Sequence, residues 1–251
     1  MEHKEYVRIV PGADTAVLLI HGIAGTQNHF RDLIPLVDLV PEGWSVYNVL
    51  LPGHGGSVLD FGRSSMKQWR VYARGIFLAL SRQHDRVILV GHSMGTLFSL
   101  QLAVEHPEKI PLLFLIAVPM RPWPRLFGIR NLLKLAFGFL REDIPLEAAT
   151  IRVCGVKATA RLWEYITWIP RILELFAEIY RTERLLPKLS TPCIAWQSRK
   201  DELVSNFAAS VLRKSGVMEV RELNESTHFY YSPEDQIAVR DAFESMIKKK
   251  V

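Results

Sequence analysis

The sequence contains only two cysteines, and this scarcity excludes several classes of protein. Cys154 and Cys193 are too few to form the disulfide framework of a small secreted domain. There is no CxxC pair and no cysteine–histidine cluster, so no motif in the sequence indicates a zinc site. Two cysteines in 251 residues fit a reducing compartment, and we therefore expect a cytoplasmic protein.

Long apolar runs are also missing. No segment is long and apolar enough to predict a membrane span, and no apolar stretch follows the first five residues, so we expect no secretory signal. The length and the 49% hydrophobic content fit one large α/β domain or two small ones. A net charge of +5 is compatible with an anionic membrane or nucleic acid as a partner, but also with an ordinary basic surface. No nucleic-acid-binding motif is present, so we expect no nucleic acid partner.

The rest of the chain is organised around residues 86–102, RVILVGHSMGTLFSLQL. The β-branched run 86–90 predicts a buried strand of a parallel sheet, and residues 96–102 have helical spacing. Between them lies a G-x-S-x-G pattern centred on Ser93. A tight strand-to-helix turn presents a serine to both a base and a substrate, and the free N–H groups of the helix point at it. The pattern predicts a nucleophile at Ser93, and the alternative is an ordinary glycine-rich turn.

Four other segments share a fixed order along the chain. They are LLIHG at 18–22, LPGHG at 51–55, an acid after a late strand and a histidine after the last strand. With the serine turn, they resemble the α/β-hydrolase family, and most of all its carboxylesterase and monoacylglycerol-lipase branch with a small helical cap. The resemblance covers nearly the whole chain. It implies the α/β-hydrolase fold, a mostly parallel central sheet with helices on both faces.

The resemblance also implies a catalytic triad. Ser93 takes the place of the nucleophile, His228 that of the general base, and Asp201 that of the acid that orients the histidine. Glu202 is the adjacent competitor for the acid, and the family pattern favours Asp201. No metal or organic cofactor is required by this chemistry.

The same family pattern implies an oxyanion hole made of backbone N–H groups. The donors are expected at Ile23, in the loop after the second strand, and at Met94, the residue after the nucleophile. A plain loop at Ile23 and a core role for the Met94 side chain are the alternatives. His54 lies outside any triad position, so we expect it to shape its loop.

The order of motifs divides the chain into a core and an insertion. We expect residues 1–118 and 188–251 to form the hydrolase core and residues 119–187 to form a helical cap. Helices are predicted over 126–140 and 158–179, and Pro170 is expected to kink or divide the second. Apolar residues crowd that second helix: Trp163, Tyr165, Ile166, Trp168, Ile169, Ile172, Leu173, Leu175 and Phe176. They suggest an apolar underside for an acyl chain, simple packing onto the core, or an amphipathic helix that faces a membrane.

The remaining elements are predicted from apolar periodicity. The predicted strands are 6–10, 15–20, 44–50, 112–118, 191–197 and an edge strand at 218–223, and the predicted helices are 30–40, 66–83, 207–214 and 233–249.

These features predict a serine hydrolase that cleaves carboxylic esters of medium or long acyl chains, or monoacylglycerols, through an acyl-enzyme. An anionic leaving group, as in a lysophospholipid, is an alternative suggested by five basic residues of the cap: Arg121, Arg125, Arg130, Lys134 and Arg141. Amide and C–C hydrolases keep the same triad, and a non-catalytic binding module on this scaffold is a further alternative. The expected partner is a small ester or lipid, with transient membrane-surface contact through the cap, and the oligomeric state is left open.

Overall fold

The computed structural model describes residues 3–122, 133–134 and 137–249, and its central feature is a seven-stranded sheet. The strands are β1 (Tyr6–Arg8), β2 (Thr15–Ile20), β3 (Ser45–Asn48), β4 (Arg86–His92), β5 (Leu113–Ile116), β6 (Cys193–Ser198) and β7 (Met218–Leu223). Their order is β1-β3-β2-β4-β5-β6-β7, and only β1 runs antiparallel to its neighbour. The predicted α/β class, the mostly parallel sheet and the edge position of β7 are confirmed.

Helices cover both faces of this sheet. Those of the described residues are α1 (Val58–Arg63), α2 (Met66–Gln83), α3 (Met94–Glu105), α4 (Pro145–Val153), α5 (Ile169–Glu183), α6 (Phe207–Arg213) and α7 (Pro233–Lys249). Short 3₁₀ turns occupy Gln27–Phe30, Val37–Leu39, Leu162–Trp168 and Leu186–Lys188.

The core lies in two layers, one on each face of the sheet. Side chains alternate between the faces of a strand, so Leu18 and Ile20 pack in the layer of α2 and α3, while Val17 and Leu19 pack in the layer of α7. Every residue of β2 is buried, as expected for an apolar inner strand with helices on both sides.

The carboxyl ends of the parallel strands bring the chemically interesting loops together. The loops after β2, β4, β6 and β7 all leave the sheet at the same edge, because these strands run in the same direction. In open parallel sheets this edge is where ligands bind. The segments with Ile23, Ser93, Asp201 and His228 are therefore neighbours despite their separation in sequence.

The predicted helix over 30–40 is wrong. The structure has two 3₁₀ turns there, Gln27–Phe30 and Val37–Leu39, with an irregular stretch between them. Pro35 is the physical reason, because its ring removes a backbone donor and disfavours helical geometry at Ile34.

Residues 137–187 contribute helices and no strand. Helix α4 was not predicted. The predicted division at Pro170 is observed: a 3₁₀ turn ends at Trp168, and Pro170 stands in the first turn of α5. The predicted helix over 126–140 lies mostly outside the described residues, and so do Arg125 and Arg130. Where the cap begins and ends stays a prediction.

The remaining features of the fold concern the length of its helices and the state of its two cysteines. None of the helices in the described residues has both the length and the apolar character needed to cross a bilayer. Cys154 and Cys193 are both free thiols.

Candidate active site

The Ser93 turn is strained. Ser93 adopts φ +50° and ψ −122° between the last residue of β4 and the first residue of α3. Positive φ is disfavoured for a side chain with a Cβ, by an order of 1–3 kcal/mol, and such strain concentrates at functional sites. Hydrogen bonds hold the turn in place: the Ser93 N–H donates to the Ile116 carbonyl at 2.9 Å, and Thr96 donates to the Ser93 carbonyl.

The two glycines of the motif are required by close packing. A Cβ on Gly91 would lie 2.8 Å from the Thr96 backbone. A Cβ on Gly95 would overlap the Ile20 carbonyl oxygen of the neighbouring strand. Only glycine lets the start of α3 lie this close to β2, and this contact fixes where the Ser93 hydroxyl stands.

Asp201 and His228 form a buried pair. The His228 Nδ1 lies 2.9 Å from Asp201 Oδ2 and 3.2 Å from Oδ1, and both side chains are almost completely buried. The Asp201 Oδ1 also accepts the backbone N–H groups of Leu203 and Val204, each at 2.8 Å. These contacts set the tautomer, since Nδ1–H donates to the carboxylate and leaves Nε2 free to accept a proton.

Electrostatics make His228 a stronger base. Burial lowers the pKa of His228, but the charge of Asp201 and its hydrogen bond outweigh burial, so the pKa is raised above the usual 6.5. Glu202 adds to this effect and accepts the backbone N–H of His228 at 2.7 Å. Burial raises the pKa of Glu202 itself. The two adjacent acids therefore contact different parts of the same histidine, and it is Asp201 that contacts the ring.

Ser93 lies next to this pair without a direct bond to it. The ring centroid of His92, the residue before Ser93, is 5.0 Å from that of His228. Within the described residues, the Ser93 hydroxyl makes no hydrogen bond to His228. Catalytic hydrogen bonds in unliganded enzymes are often long and shorten when substrate binds.

The loop after β2 packs directly against the Ser93 turn. A Cβ on Gly22 would lie 2.8 Å from the Ser93 Cβ, so the next residue, Ile23, follows within reach of the serine. Among the described residues, neither the Ile23 N–H nor the Met94 N–H donates to a protein acceptor.

His21 positions this loop, a role that sequence reasoning missed. Its Nδ1 bonds to the Gly22 carbonyl at 2.8 Å, and its Nε2 accepts the Leu51 N–H at 3.0 Å. Burial lowers the pKa of His21 to about 4, which keeps the ring neutral and preserves both bonds. The LLIHG and LPGHG motifs contain His21 and Leu51, but the sequence alone does not show that the two meet.

A second missed contact comes from residues 154–157, a segment we call the strap. The Gly155 N–H donates to the Ala24 carbonyl at 2.8 Å, and the Gly155 carbonyl accepts the Gly55 N–H at 2.5 Å. The Lys157 N–H donates to the Gly56 carbonyl at 2.8 Å. The strap therefore joins the loop after β2 to the loop after β3.

Two more buried histidines stand behind the site. The rings of His29 and His92 pack at 3.6 Å between centroids with 32° between their planes, and burial lowers the pKa of each well below 6.5. His54 has the loop-shaping contacts that were predicted for it: it packs against Trp69 and Phe61, and its Nδ1 lies near the Leu51 and Pro52 carbonyls.

The family model described as the alpha/beta hydrolase family matches residues 17–241, which is most of the chain. The chain belongs to the α/β hydrolase family, as the order of its motifs indicated.

Among curated proteins, the chain is similar to a pimeloyl-[acyl-carrier protein] methyl ester esterase of Neisseria meningitidis serogroup B, with 34% identity over 119 residues. The match covers 47% of this chain and 42% of the relative, so it spans less than half of either protein.

Solved structures match over nearly the whole chain. A structure from work on the metagenome-derived lipolytic enzymes LipS and LipT has a TM-score of 0.74 at 20% identity and covers 99% of this chain and 98% of its own. A monoacylglycerol lipase of Paleococcus ferrophilus has a TM-score of 0.68 at 17% identity, with full coverage of both chains. At such identities, these likenesses show the shared fold.

Proposed function

We propose that this protein is a serine hydrolase that cleaves carboxylic esters through an acyl-enzyme intermediate. The observation that carries the proposal is the buried Asp201–His228 pair, 2.9 Å apart, at the same sheet edge as the strained Ser93 turn. A serine hydroxyl is a weak nucleophile until a base removes its proton, and a histidine oriented by a carboxylate is such a base.

In the first half-reaction, Ser93 Oγ attacks the ester carbonyl while His228 Nε2 takes its proton. The carboxylate of Asp201 stabilises the imidazolium. The C–O bond to the alcohol then breaks, and the imidazolium returns its proton to the leaving alcohol. The products are free alcohol and an acyl group on Ser93.

In the second half-reaction, water attacks the acyl-enzyme. His228 removes a proton from the water, and its return to Ser93 Oγ releases the carboxylic acid. The N–H groups of Ile23 and Met94 stabilise the oxyanion of both tetrahedral intermediates, and losing one such donor costs about 3 kcal/mol of barrier. No metal or cofactor takes part.

The proposed substrates are esters with medium or long acyl chains, including monoacylglycerols. Apolar side chains next to the triad support this choice: Ile23 follows the glycine packed on Ser93, and the Phe229 ring lies 4.8 Å from His228. A relative whose name specifies a methyl ester and a structural neighbour named as a monoacylglycerol lipase agree with an ester substrate.

Residues 119–187 are proposed to act as the cap over this site. Support comes from the strap, which bonds to the loop of Ile23, and from Trp168, which donates to the Val58 carbonyl at 3.0 Å. Of the apolar residues of this region, Tyr165, Trp168 and Leu175 pack against the core, whereas others on α5 are exposed.

The decisive experiment is hydrolysis of p-nitrophenyl esters from acetyl to palmitoyl by the wild type and by Ser93→Ala. We expect a Ser93-dependent optimum at medium or long chains. A fluorophosphonate probe should label the wild type, with the adduct found on Ser93 by mass spectrometry, and should not label Ser93→Ala.

Three results would contradict parts of the proposal. Labelling of Ser93 without turnover of any ester would keep the nucleophile and exclude the ester class. Labelling that persists in Ser93→Ala would remove Ser93 from its role. A wild type that neither turns over nor reacts would leave a binding module as the remaining function.

A further inference from the structure

Helix α5 is amphipathic, and the side that faces the core carries buried polar residues beside the buried Ile179. Glu178, only 3% exposed, accepts hydrogen bonds from Arg70 of α2 at 2.8 and 2.9 Å and from Gln101 of α3 at 2.9 Å. Gln101 also donates to the buried Thr182 hydroxyl at 2.8 Å. Because these buried polar groups are paired, this side of the helix is stable against the core.

A second set of polar contacts holds the start of α5. The Arg171 guanidinium donates to the Gly62 and Ser64 carbonyls at the end of α1 and pairs with Glu174 at 2.8 Å. Glu174 in turn accepts the Met66 N–H of α2 at 2.9 Å. With contacts at both ends, the helix cannot roll about its axis without breaking several charged hydrogen bonds.

The opposite side of α5, which we call the outer face, is apolar and exposed. Its members follow helical spacing and have exposed fractions of 56, 41, 63, 49 and 64%: Ile169, Ile172, Leu173, Phe176 and Tyr180. The preceding 3₁₀ turn extends this surface with Leu162, Trp163 and Ile166, at 47, 67 and 64%. A surface helix normally buries such a stripe, and a contiguous exposed patch of this kind marks an interaction surface.

The rim of the outer face is positive. Arg161 stands at one end with 69% of its side chain exposed and pairs with Glu164 at 3.5 Å. Arg184 and Lys188 are exposed at the other end. Within the described residues, neither Arg184 nor Lys188 makes an ion pair, and Arg184 lies over the Tyr180 ring.

The acids of the same segment are neutralised. Glu174 and Glu178 pair with arginines as described, and Glu183 pairs with Arg121 at 2.7 Å. Of the rim residues, Arg184 and Lys188 keep their charge without an ion pair in the described part of the chain, so the uncompensated charge beside the apolar surface is cationic, in line with the net charge of +5.

We infer that the outer face docks on the surface of an anionic lipid bilayer, with α5 lying in the plane of the interface. Apolar and aromatic side chains enter the boundary between headgroups and acyl chains, and the cationic rim contacts the anionic headgroups. A second copy of this chain is a poorer occupant, because face-to-face pairing would bring two positive rims together.

The test is flotation with vesicles of phosphatidylcholine alone and of equal parts phosphatidylcholine and phosphatidylglycerol. The wild type should bind the anionic vesicles more strongly, and high salt should weaken that binding. Leu173→Glu combined with Phe176→Glu should reduce partition about tenfold or more, since two apolar groups would no longer be buried. Hydrolysis of a short, water-soluble ester should be unchanged in this variant.

Ile237→Glu is the matched control, because Ile237 is 60% exposed on α7, outside the outer face. It should bind vesicles like the wild type. The inference is overturned if the wild type does not bind anionic vesicles, or if the double variant binds them as well as the wild type does. It is also overturned if sedimentation velocity reveals a dimer that the double variant dissociates and no vesicle binding occurs. Ser93→Ala should bind like the wild type, so this result and the proposed hydrolysis are tested separately.

Discussion

At the residue scale, two adjacent carboxylates contact different parts of one histidine. Asp201 contacts the His228 ring, whereas Glu202 contacts its backbone N–H at 2.7 Å. In the proposed mechanism, only the contact with the ring fixes the tautomer and stabilises the imidazolium that forms on His228. The family pattern favoured Asp201, and the geometry supplies a physical reason for that choice.

We predict that Asp201→Asn lowers kcat by about 10³- to 10⁴-fold, because an amide no longer stabilises the imidazolium and permits the wrong tautomer. The pH profile should change as well. In the wild type, His228 must be neutral to accept a proton, so kcat/KM rises with pH through its raised pKa, above 6.5. Without the Asp201 charge, burial dominates, and the acidic limb should move to lower pH.

Glu202→Gln is the control for this experiment. An amide oxygen still accepts the His228 N–H, so kcat should stay within about tenfold of the wild type. The opposite result, a 10³-fold loss of kcat in Glu202→Gln with a wild-type kcat in Asp201→Asn, would assign the acid role to Glu202.

The triad candidates could be predicted from the sequence, but the contacts that position the loops around them could not. Ser93, Asp201 and His228 follow a fixed chain order after recognisable strands. The role of His21 depends on its meeting Leu51, thirty positions away, and a one-dimensional pattern carries no such information.

At the element scale, the strap connects residues 137–187 to the loop after β2 through a main-chain hydrogen bond. Gly155 has no room for a side chain, because a Cβ there would collide with the Gly25 carbonyl oxygen. The position of the Ile23 N–H therefore depends on a segment more than a hundred residues further along the chain.

Gly155→Ala should push the strap away from the loop of Ile23 and misplace one oxyanion donor. We predict that kcat falls about 10- to 100-fold and that KM changes much less, since an oxyanion donor acts mainly in the transition state. Kinetics normalised to sites titrated with a phosphonate would separate this effect from a loss of folded protein.

Gly43→Ala is the matched control, because nothing lies within 4 Å of a Cβ at Gly43. It should keep wild-type kcat. A Gly155→Ala enzyme with wild-type kcat per titrated site would mean that the strap does not position the loop of Ile23.

Periodicity predicted most elements, and its failures have physical causes. Helices α2 and α7 and strands β2 and β7 have the predicted bounds. Apolar spacing also indicated a helix near α5 but left open whether its apolar side faces an acyl chain, the core or a membrane. The periodic pattern shows that a helix has two sides, while paired polar groups such as Arg70–Glu178 decide which side faces the core.

At the scale of the whole molecule, buried neutral histidines link stability to pH. Burial lowers the pKa of His21 to about 4 and that of His29, His54 and His92 well below 6.5. The unfolded chain takes up these protons below pH 6.5, while the folded protein does not, so the folded state is disfavoured as pH falls. His228 has a raised pKa and acts in the opposite direction, but it is one group against four.

We predict that the free energy of unfolding in urea decreases between pH 6.5 and pH 5, by about 1.4 kcal/mol per pH unit for each histidine that stays neutral. In His29→Phe, a phenyl ring can still stack on His92, and the slope should be shallower by about 1.4 kcal/mol per pH unit because one proton less is taken up on unfolding. Identical slopes in the two proteins would show that His29 is protonated in the folded state. His29 would then be positively charged next to His92 and His228, and the interpretation that the buried His29–His92 pair is neutral would be wrong.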